Sequence, residues 1–319
     1  MQLRLHWHNS TIRVIPLFKK IVIFGVGLIG GSFALAFKKA ATATQIVGVG
    51  RTAAPLARAI ELGIIDSAGS SDSDGLAICL RDADLVLIAA PVAQTEAILD
   101  SIAPHLQVGT IVTDAGSTKT DVVAAARRAL GAKIAQFVPG HPIAGRELNG
   151  PEAALADLYV GKKVVLTPLP ENAMDDVARV AAAWQQCGAI IHRLTPEQHD
   201  RVFASVSHLP HLLAYALVDD IARKPHADLL FQYAASGFRD FTRIAGSSPE
   251  MWRDIALANQ TALLNELDAY MLQLAHLRSA LASGDGGALE AIFANAQQAR
   301  QRWEISIEAA EKQYQEGGD

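Results

Sequence analysis

The sequence lacks the features that mark secreted, membrane-spanning and nucleic-acid-binding proteins. Cys79 and Cys187 are the only cysteines. Both have apolar neighbours, which indicates core thiols in a reducing cytoplasm rather than disulfides. No run approaches the apolar length of a membrane span. The formal net charge of −5 argues against nucleic acid as the main partner. We therefore expect a cytoplasmic protein that binds neither membrane nor nucleic acid.

Length and patterning predict two domains. The chain has 319 residues, half of them hydrophobic, so a full core needs neither disulfides nor metals. Residues 1–19 have charges and histidines where a signal peptide has an apolar stretch, and we interpret them as a loose N-terminal extension. Residues 20–194 alternate short apolar runs with alanine-rich helical segments. This alternation predicts an α/β doubly wound domain with a parallel sheet.

Residues 195–319 are predicted to be all-helical. Thr195 and Ser248 are the expected N-caps of two helices, each followed by a proline at the first helical position. A break at "SGDGG" precedes a last helix, from Ala288 to about Tyr314. An apolar stripe lies before that break at Leu263, Leu264, Leu267, Tyr270, Met271, Leu274, Leu277 and Leu281. The stripe is either an intramolecular core or a homodimer interface, and the dimer is favoured because two long helices have few local partners.

A glycine-rich loop follows the first predicted strand. In "IVIFGVGLIGGS", Gly25, Gly27 and Gly30 have the spacing G-x-G-x-x-G and stand between a strand and a helix. The three glycines allow a tight turn, close approach to a pyrophosphate and close packing of the helix. Backbone N–H groups at the start of the helix would hold the phosphates. The first domain is therefore expected to bind a nicotinamide dinucleotide.

The second predicted strand lacks the acidic residue typical of NAD-selective sites. Such sites bond the ribose 2′-hydroxyl with Asp or Glu about twenty residues after the glycine loop. Here Gly50 is followed by Arg51 and Thr52. A guanidinium binds a 2′-phosphate that a carboxylate would repel, so NADP is favoured and NAD is possible; alternatively, Arg51 only stacks on the adenine. The residues expected at the cofactor are Gly25, Gly27, Leu28, Ile29, Gly30, Arg51, Thr52, Ala90, Pro91 and Ser117.

A histidine stands at the end of another predicted strand. His141 lies between Gly140 and Pro142, with backbone freedom before the imidazole and a fixed φ after it. Ser117 and Lys119, in "TDAGSTKTD", follow the neighbouring strand at the same carboxyl edge, where doubly wound folds bind ligands. A hydrogen bond from Ser117 would hold the imidazole in one tautomer, able to take a proton while hydride leaves the same carbon. Alternatively, Ser117 is an ordinary helix N-cap and His141 is structural.

Five motifs together resemble one enzyme family. They are "GVGLIGGS", "TDAGSTK", "GHPIAGRELNG", "SHLPH" and "SGFRDFTRIAGSSPEMWRDI". In this order they resemble the prephenate/arogenate dehydrogenase family of tyrosine biosynthesis, from about Lys20 to the C-terminus. The resemblance implies a nucleotide-binding domain followed by a helical dimerisation domain, and a homodimer formed through the latter. Both agree with the patterning of the two segments.

The resemblance also implies roles for individual residues. His141 matches the catalytic histidine that accepts the proton of the ring 4-hydroxyl, and Ser117 the serine that orients both groups. Arg243 matches an arginine that binds a substrate carboxylate. His208 matches a residue of the substrate side-chain pocket, and Trp252 an aromatic that reaches the pocket from the partner subunit. Further substrate-site positions are Gly237, Glu147, Arg239 and Asp240, the last three at the entrance.

The implied reaction is oxidative decarboxylation of prephenate to 4-hydroxyphenylpyruvate, of arogenate to tyrosine, or both. Hydride leaves the hydroxyl-bearing carbon for NADP or NAD, His141 takes the proton, and loss of carbon dioxide makes the ring aromatic. Two substrate carboxylates call for cations, which Arg243 and a protonated His208 would supply. Substrate choice is open, with a dual cyclohexadienyl enzyme as the central expectation. No mutase-like domain precedes residue 20 and no regulatory module follows the last helix, so a monofunctional enzyme is expected.

Two other functions would use the same glycine loop. A β-hydroxyacid or 6-phosphogluconate-type dehydrogenase relies on a lysine in the helical domain, and the first helix after the boundary has none before Lys224. A non-catalytic NADP-binding sensor has no use for Ser117, His141 and Arg243 together. The two histidines of "SHLPH" are not expected to bind metal, since no third ligand is near. The His-Asp pair of "EQHDR", His199 and Asp200, is interpreted as a helix-surface or core pair, and the resemblance implies that it lies near the substrate cleft.

Overall fold

A computed structural model describes residues 17–40, 44–146 and 148–316, so that the predicted N-terminal extension lies almost wholly outside the described residues. The first domain contains a six-stranded parallel sheet of order β3-β2-β1-β4-β5-β6. Its strands are β1 (Lys20–Phe24), β2 (Gln45–Val49), β3 (Ser67–Gly69), β4 (Leu85–Ile88), β5 (Ile111–Asp114) and β6 (Phe137–Val138). The strand order reverses between β1 and β4. Ligands bind at such a reversal, beyond the carboxyl ends of the strands.

Helices cover both faces of this sheet. They are α1 (Leu28–Lys39), α2 (Ala53–Glu61), α3 (Ser73–Leu80), α4 (Thr95–Ile102) and α5 (Thr120–Leu130). Alternate residues of β1 belong to two different apolar clusters, Ile21 and Ile23 to one and Val22 and Phe24 to the other. The sheet is therefore buried on both faces, which confirms the predicted doubly wound domain. The apolar pattern does not reveal β3, because its sequence, "SAG", is not an apolar run.

A second, three-stranded sheet contains the histidine motif. Its strands are β7 (Gly140–Pro142), β8 (Lys163–Leu166) and β9 (Ile190–Arg193), the last preceded by α6 (Met174–Gln186). β7 is antiparallel to β8, and β8 is parallel to β9. The alternation in residues 20–194 predicts one parallel sheet, but β8 and β9 belong to this second, mixed sheet, so for these two strands the prediction is wrong. A continuous apolar run indicates burial on both faces but does not specify the partner strand.

The remaining chain is helical, as predicted. Its helices are α7 (Pro196–Phe203), α8 (Leu209–Ala222), α9 (Ala227–Gln232), α10 (Ser236–Thr242), α11 (Pro249–Ala258), α12 (Gln260–Ser283) and α13 (Gly286–Glu316), with a π-helical turn at Ala204–His208. Thr195 forms a capping box with Gln198, and the Ser248 hydroxyl accepts a hydrogen bond from the backbone N–H of Met251. Both predicted N-caps are therefore confirmed. The helix that begins after Ser248 ends at Asn259, so the predicted stripe lies in a separate helix, α12.

The helical domain exposes much apolar surface. In the predicted stripe only Leu263 is buried, whereas Met271 and Leu281 are more than half exposed. Most of the exposed large apolar side chains among the described residues belong to this domain. The stripe is therefore not an intramolecular core, and exposed apolar area of this extent is typical of an interface.

One helical run departs from the expectation that none has the apolar length of a membrane span. Residues 196–222 are long and apolar enough by length and composition alone, and 28% of the most apolar stretch is buried. The same run carries His199, Asp200 and His208, each less than 5% exposed. Buried ionisable groups of this kind are typical of a helix packed against protein. We attribute the composition of the run to packing within the protein and at its exposed apolar face.

Candidate active site

The glycine loop between β1 and α1 has the shape that a dinucleotide requires. Gly25 has a φ of +91°, and a Cβ there would lie 2.6 Å from the carbonyl oxygen of Ala89. A Cβ on Gly30 would overlap the carbonyl oxygen of Gly25. In contrast, a Cβ on Gly27 would meet nothing within 4 Å. Gly27 also precedes the first turn of α1, so a pyrophosphate can approach the helix N-terminus at this point.

Two adjoining cavities extend from this loop. The first, of about 450 Å³, is lined by Gly25, Val26, Gly27, Gly50, Arg51, Thr52, Pro55, Leu56, Gly150 and Pro151. The second, of about 410 Å³, shares Gly27 and Gly150 with the first. Arg51 and Thr52 are thus at the end of β2, on the side where an adenosine ribose lies in doubly wound domains. The two cavities together suit the two halves of a dinucleotide.

Most of the predicted catalytic and nicotinamide-side residues line the second cavity. Leu28, Ile29, Ala90, Pro91, Ser117 and His141 line it. Ser248, Met251 and Ile255 of the helical domain also line it, although the sequence motifs gave no reason to place them there. The cavity therefore lies between the two domains, as do many enzyme active sites.

His141 is held at the back of this cavity by its neighbours in both domains. The backbone N–H of Gly140 donates to Asp114 Oδ1 at 3.0 Å, and His141 pairs with Val165 in the small sheet. The imidazole Nδ1 lies 2.8 Å from Nε2 of His199. Burial lowers the pKa of His141 well below its ordinary value, and the neighbouring His199 and Lys119 lower it further. His141 is therefore neutral at pH 7 and able to accept a proton.

The partner of the His141 imidazole is not the one expected. Ser117 is expected either to hydrogen-bond the imidazole or to cap the next helix. In the structure, Nδ1 of His141 contacts His199 instead, and Ser117 lines the cavity beside His141. The cap of α5 is Asp200, whose carboxylate accepts hydrogen bonds from the backbone N–H groups of Lys119 and Thr120, both at 2.8 Å. The His-Asp pair of "EQHDR" is thus buried between the domains. The core alternative is therefore confirmed, and the surface alternative is wrong.

A buried ion pair lies beneath the cavity. Lys119 Nζ binds Asp114 Oδ2, and the two side chains are 0% and 1% exposed. The same carboxylate accepts backbone N–H groups from Gly116 and Gly140, at 2.8 and 3.0 Å. Lys119 does lie at the carboxyl edge of the sheet, as predicted, but it faces inward. Asp114 therefore connects the end of β5 to the residue that precedes His141.

The predicted substrate residues of the helical domain do not line the cavity around His141 within one chain, although His208 lies close enough to His141 to lower its pKa. His208 and Trp252 line a separate cavity of about 210 Å³, and the Trp252 ring stacks on His211 at 3.5 Å. Gly237, Arg239, Asp240 and Arg243 are exposed, and none of these four lines the cavity around His141. Glu147 lies outside the described residues.

His208 cannot supply the second cation expected for a substrate with two carboxylates. Burial lowers its pKa to about 4, although Asp200 acts to raise it, so the side chain is neutral at pH 7. Its Nδ1 lies 3.1 Å from the Asn259 amide nitrogen. His211 Nδ1 lies 2.8 Å from the carbonyl of Ser207. Within the described ranges, no group of three potential ligands that could hold a metal ion is found.

This fold and this site define a dinucleotide-dependent dehydrogenase. A family model for the nucleotide-binding domain of prephenate dehydrogenase matches residues 33–193, and one for the prephenate dehydrogenase dimerization domain matches residues 195–295. The chain belongs to the prephenate dehydrogenase family. The family recognised from the five motifs is thereby confirmed, together with the order of the two domains.

Similar proteins cover nearly the whole chain. Cyclohexadienyl dehydrogenase of Zymomonas mobilis is 37% identical over 287 residues, which are 89% of this chain and 95% of that protein. Prephenate dehydrogenase of Bacillus subtilis is 36% identical over 88% of this chain and 75% of its own length. Among solved structures, prephenate dehydrogenase from Aquifex aeolicus, in complex with hydroxyphenyl propionate and NAD+, has a TM-score of 0.82 at 35% identity, covering 90% of this chain and 98% of that one. Synechocystis arogenate dehydrogenase has a TM-score of 0.75 at 30% identity, covering 89% and 99%.

Proposed function

We propose that this enzyme oxidatively decarboxylates prephenate, arogenate or both, with His141 as the acceptor of the 4-hydroxyl proton. The observation that carries the proposal is the interdomain cavity in which His141 and Ser117 lie with Leu28 and Ile29 of the glycine loop. Relatives named for prephenate, cyclohexadienyl and arogenate dehydrogenation support the substrate class. Because these names cover both substrates, a dual cyclohexadienyl enzyme is the central proposal.

The residues around the cavity suit the requirements of this reaction. The residues of the glycine loop would hold NADP or NAD, which would supply the acceptor for the hydride of the substrate carbon that bears the hydroxyl. His141, being neutral, offers a lone pair to the hydroxyl proton, and Ser117 is placed to orient that hydroxyl. Loss of the opposite carboxylate as carbon dioxide then makes the ring aromatic, so the reaction does not readily reverse.

The entrance and carboxylate-binding roles remain proposals that rest on the matched motifs. We assign a substrate carboxylate to Arg243 and the entrance to Arg239 and Asp240 of the helical domain, with Glu147. Gly237 is assigned to the substrate site. His208 would contact the substrate as a neutral hydrogen-bonding group rather than as a cation. Trp252 is assigned to the substrate pocket at the subunit interface.

Initial rates with both substrates and both cofactors test the proposed function. We expect formation of NADPH from NADP with prephenate and with arogenate, measured by absorbance of the reduced nicotinamide. Enzyme that binds NADP but turns over neither compound would contradict the substrate assignment and would favour a β-hydroxyacid dehydrogenase. Turnover that prefers NAD would contradict the cofactor assignment alone.

We propose NADP as the preferred cofactor, with Arg51 bound to the 2′-phosphate. Arg51 lines the first cavity at the end of β2, and the described residues that line this cavity include no carboxylate that would repel the phosphate. Replacement of Arg51 by alanine is expected to weaken NADP binding about 10- to 100-fold, the equivalent of one charge-assisted hydrogen bond or slightly more, and to leave NAD binding unchanged. Dissociation constants from nicotinamide-cofactor titrations measure both effects.

Arg58→Ala is the matched control for this prediction. Arg58 lies on α2 near the same cavity, but its guanidinium donates to Glu152 and Glu61 at 3.1 and 2.9 Å. Its removal should leave the NADP-to-NAD affinity ratio unchanged. Equal losses for both cofactors in Arg51→Ala would mean that Arg51 only stacks on the adenine.

We also propose a cytoplasmic homodimer formed through a helical domain that begins at Thr195. The exposed apolar stripe of α12, which includes Met271 and Leu281, supports the interface, as does the dimerization-domain family that residues 195–295 match. The buried free thiols Cys79 and Cys187 support a reducing compartment. Light scattering of the purified protein is expected to give twice the mass of one chain, and a monomer mass at micromolar concentration would contradict the interface.

A further inference from the structure

A continuous chain of hydrogen bonds leads from His141 into the helical domain. Nδ1 of His141 lies 2.8 Å from Nε2 of His199, and Nδ1 of His199 lies 2.8 Å from Oδ1 of Asp200. The Asp200 carboxylate in turn accepts the backbone N–H groups of Lys119 and Thr120. His199 is 0% and Asp200 4% exposed, so water does not compete for these groups.

The carboxylate end of this chain determines where the protons lie. Burial alone would raise the pKa of Asp200, but hydrogen bonds from His199, Thr120 and Lys119 outweigh it and hold the pKa below the ordinary value. An ionised carboxylate only accepts hydrogen bonds, so Nδ1 of His199 must carry a proton. Burial lowers the pKa of His199 despite the contribution of Asp200, so the ring is neutral and its Nε2 is an acceptor.

The same reasoning assigns the His141 tautomer. Since Nε2 of His199 is an acceptor, Nδ1 of His141 must be the donor in the 2.8 Å contact between them. A neutral His141 with its proton on Nδ1 has its lone pair on Nε2. That nitrogen is then the atom available for a proton from the substrate.

We propose that His199 and Asp200 are positioning residues that fix His141 in the tautomer whose Nε2 accepts the substrate proton. The proposal rests on the proposed role of His141 as the base. When Nε2 takes the proton, His141 becomes an imidazolium whose Nδ1–H bond to His199 persists, with the Asp200 carboxylate beyond it. The titratable groups that act on His141 are His199, Lys119 and His208, and Lys119 is paired with Asp114.

The chain of hydrogen bonds also joins the two domains. His141 belongs to the small sheet of the first domain, whereas His199 and Asp200 lie on α7 of the helical domain. The Asp200 carboxylate contacts the first domain, where it caps the N-terminus of α5. The base therefore has its productive tautomer only when the helical domain is docked.

Nitrogen-15 NMR of histidine-labelled protein tests the tautomers without any substrate. We expect both His141 and His199 to show a protonated Nδ1 and an unprotonated Nε2, with His141→Asn and His199→Gln used to assign the resonances. A protonated Nε2 on His141 in the wild type would overturn the proposal. Because this measurement involves no turnover, it is independent of whether prephenate or arogenate is the substrate.

Two variants at His199 test the effect on catalysis. His199→Leu removes the acceptor for Nδ1 of His141, and we expect kcat to fall about a hundredfold or more, with KM and NADP binding little changed. In His199→Gln the amide oxygen replaces Nε2 as acceptor while the amide N–H₂ can donate to Asp200, so a substantial part of kcat should return. Equal kcat for the two variants, or a parallel loss of NADP binding, would indicate a merely structural role and overturn the proposal.

Asp200 is left unchanged in these variants, because that residue also caps α5. His192→Leu is the matched control, since His192 is an exposed histidine on β9, and it should retain wild-type kcat. A wild-type enzyme that turned over neither substrate would count against the proposed function, whereas the NMR result would still decide the tautomers.

Discussion

Replacement of His141 by asparagine is expected to lower kcat about a hundred- to ten-thousand-fold while NADP still binds. That range is typical of the loss of a general base. His141 is suited to the role because burial keeps it neutral and it faces the cavity that Ser117 and the glycine loop also line. Steady-state rates with saturating substrate, together with a titration of NADP binding, measure the two effects separately.

Loss of the general base differs from a cofactor-binding defect, because it lowers kcat and leaves the fold and NADP binding unchanged. His141 lies in β7, whose pairing with β8 uses backbone groups that asparagine retains. The thermal transition and the NADP dissociation constant should therefore match those of the wild type. A variant that keeps most of its kcat would mean that another group takes the hydroxyl proton, and a variant that no longer binds NADP would mean that the change disturbed the fold.

Replacement of Asp114 by alanine is expected to cost about 3–5 kcal/mol of the free energy of unfolding, the range for breaking a buried ion pair by removing one partner. The change leaves the Lys119 ammonium buried without its carboxylate, and it also removes the acceptor of the Gly116 and Gly140 N–H groups. Denaturant-induced unfolding of the first domain measures the loss.

Two further variants show whether the burial of the pair is the cause. Lys119→Met leaves the carboxylate with two backbone donors and should cost less than Asp114→Ala. Glu96→Ala breaks the exposed pair with Arg128 and should change stability little, because solvent screens that pair. If Asp114→Ala were no more destabilising than Glu96→Ala, the Lys119 charge would have to reach water or another partner.

The parts of the fold that depend on local chemistry could be predicted from the sequence. The glycine loop, the caps at Thr195 and Ser248 and the break at Gly284 each require particular residues at particular backbone positions, and all are found where expected. The assignment of β8 and β9 to the large sheet is wrong because strand pairing depends on distant segments. Apolar composition carries no information on which segments meet.

The candidate site could be predicted only in part, for a similar reason. Ser117 follows β5 and His141 follows the neighbouring β6 at the same edge of the parallel sheet, so the rule for parallel sheets brings them together. His199 is 58 residues from His141, in a helix of the other domain, and no local spacing connects the two. Its neighbour Asp200 is a weak sequence signal, because a His-Asp pair on a helix is common at protein surfaces, and the family resemblance implied only a place near the substrate cleft.

The cap on α5 has a consequence for the order in which the protein is made. Asp200 lies 80 residues after Thr120, whose backbone N–H it accepts. The ribosome releases the first domain before this residue, so the start of α5 faces water until the helical domain emerges and docks. In a chimaera of this first domain and a relative's second domain, the side chains proposed to orient His141 would come from the relative. We therefore expect the interchangeable module of such chimaeras to begin at Thr195 and to require a histidine and an aspartate in its first helix.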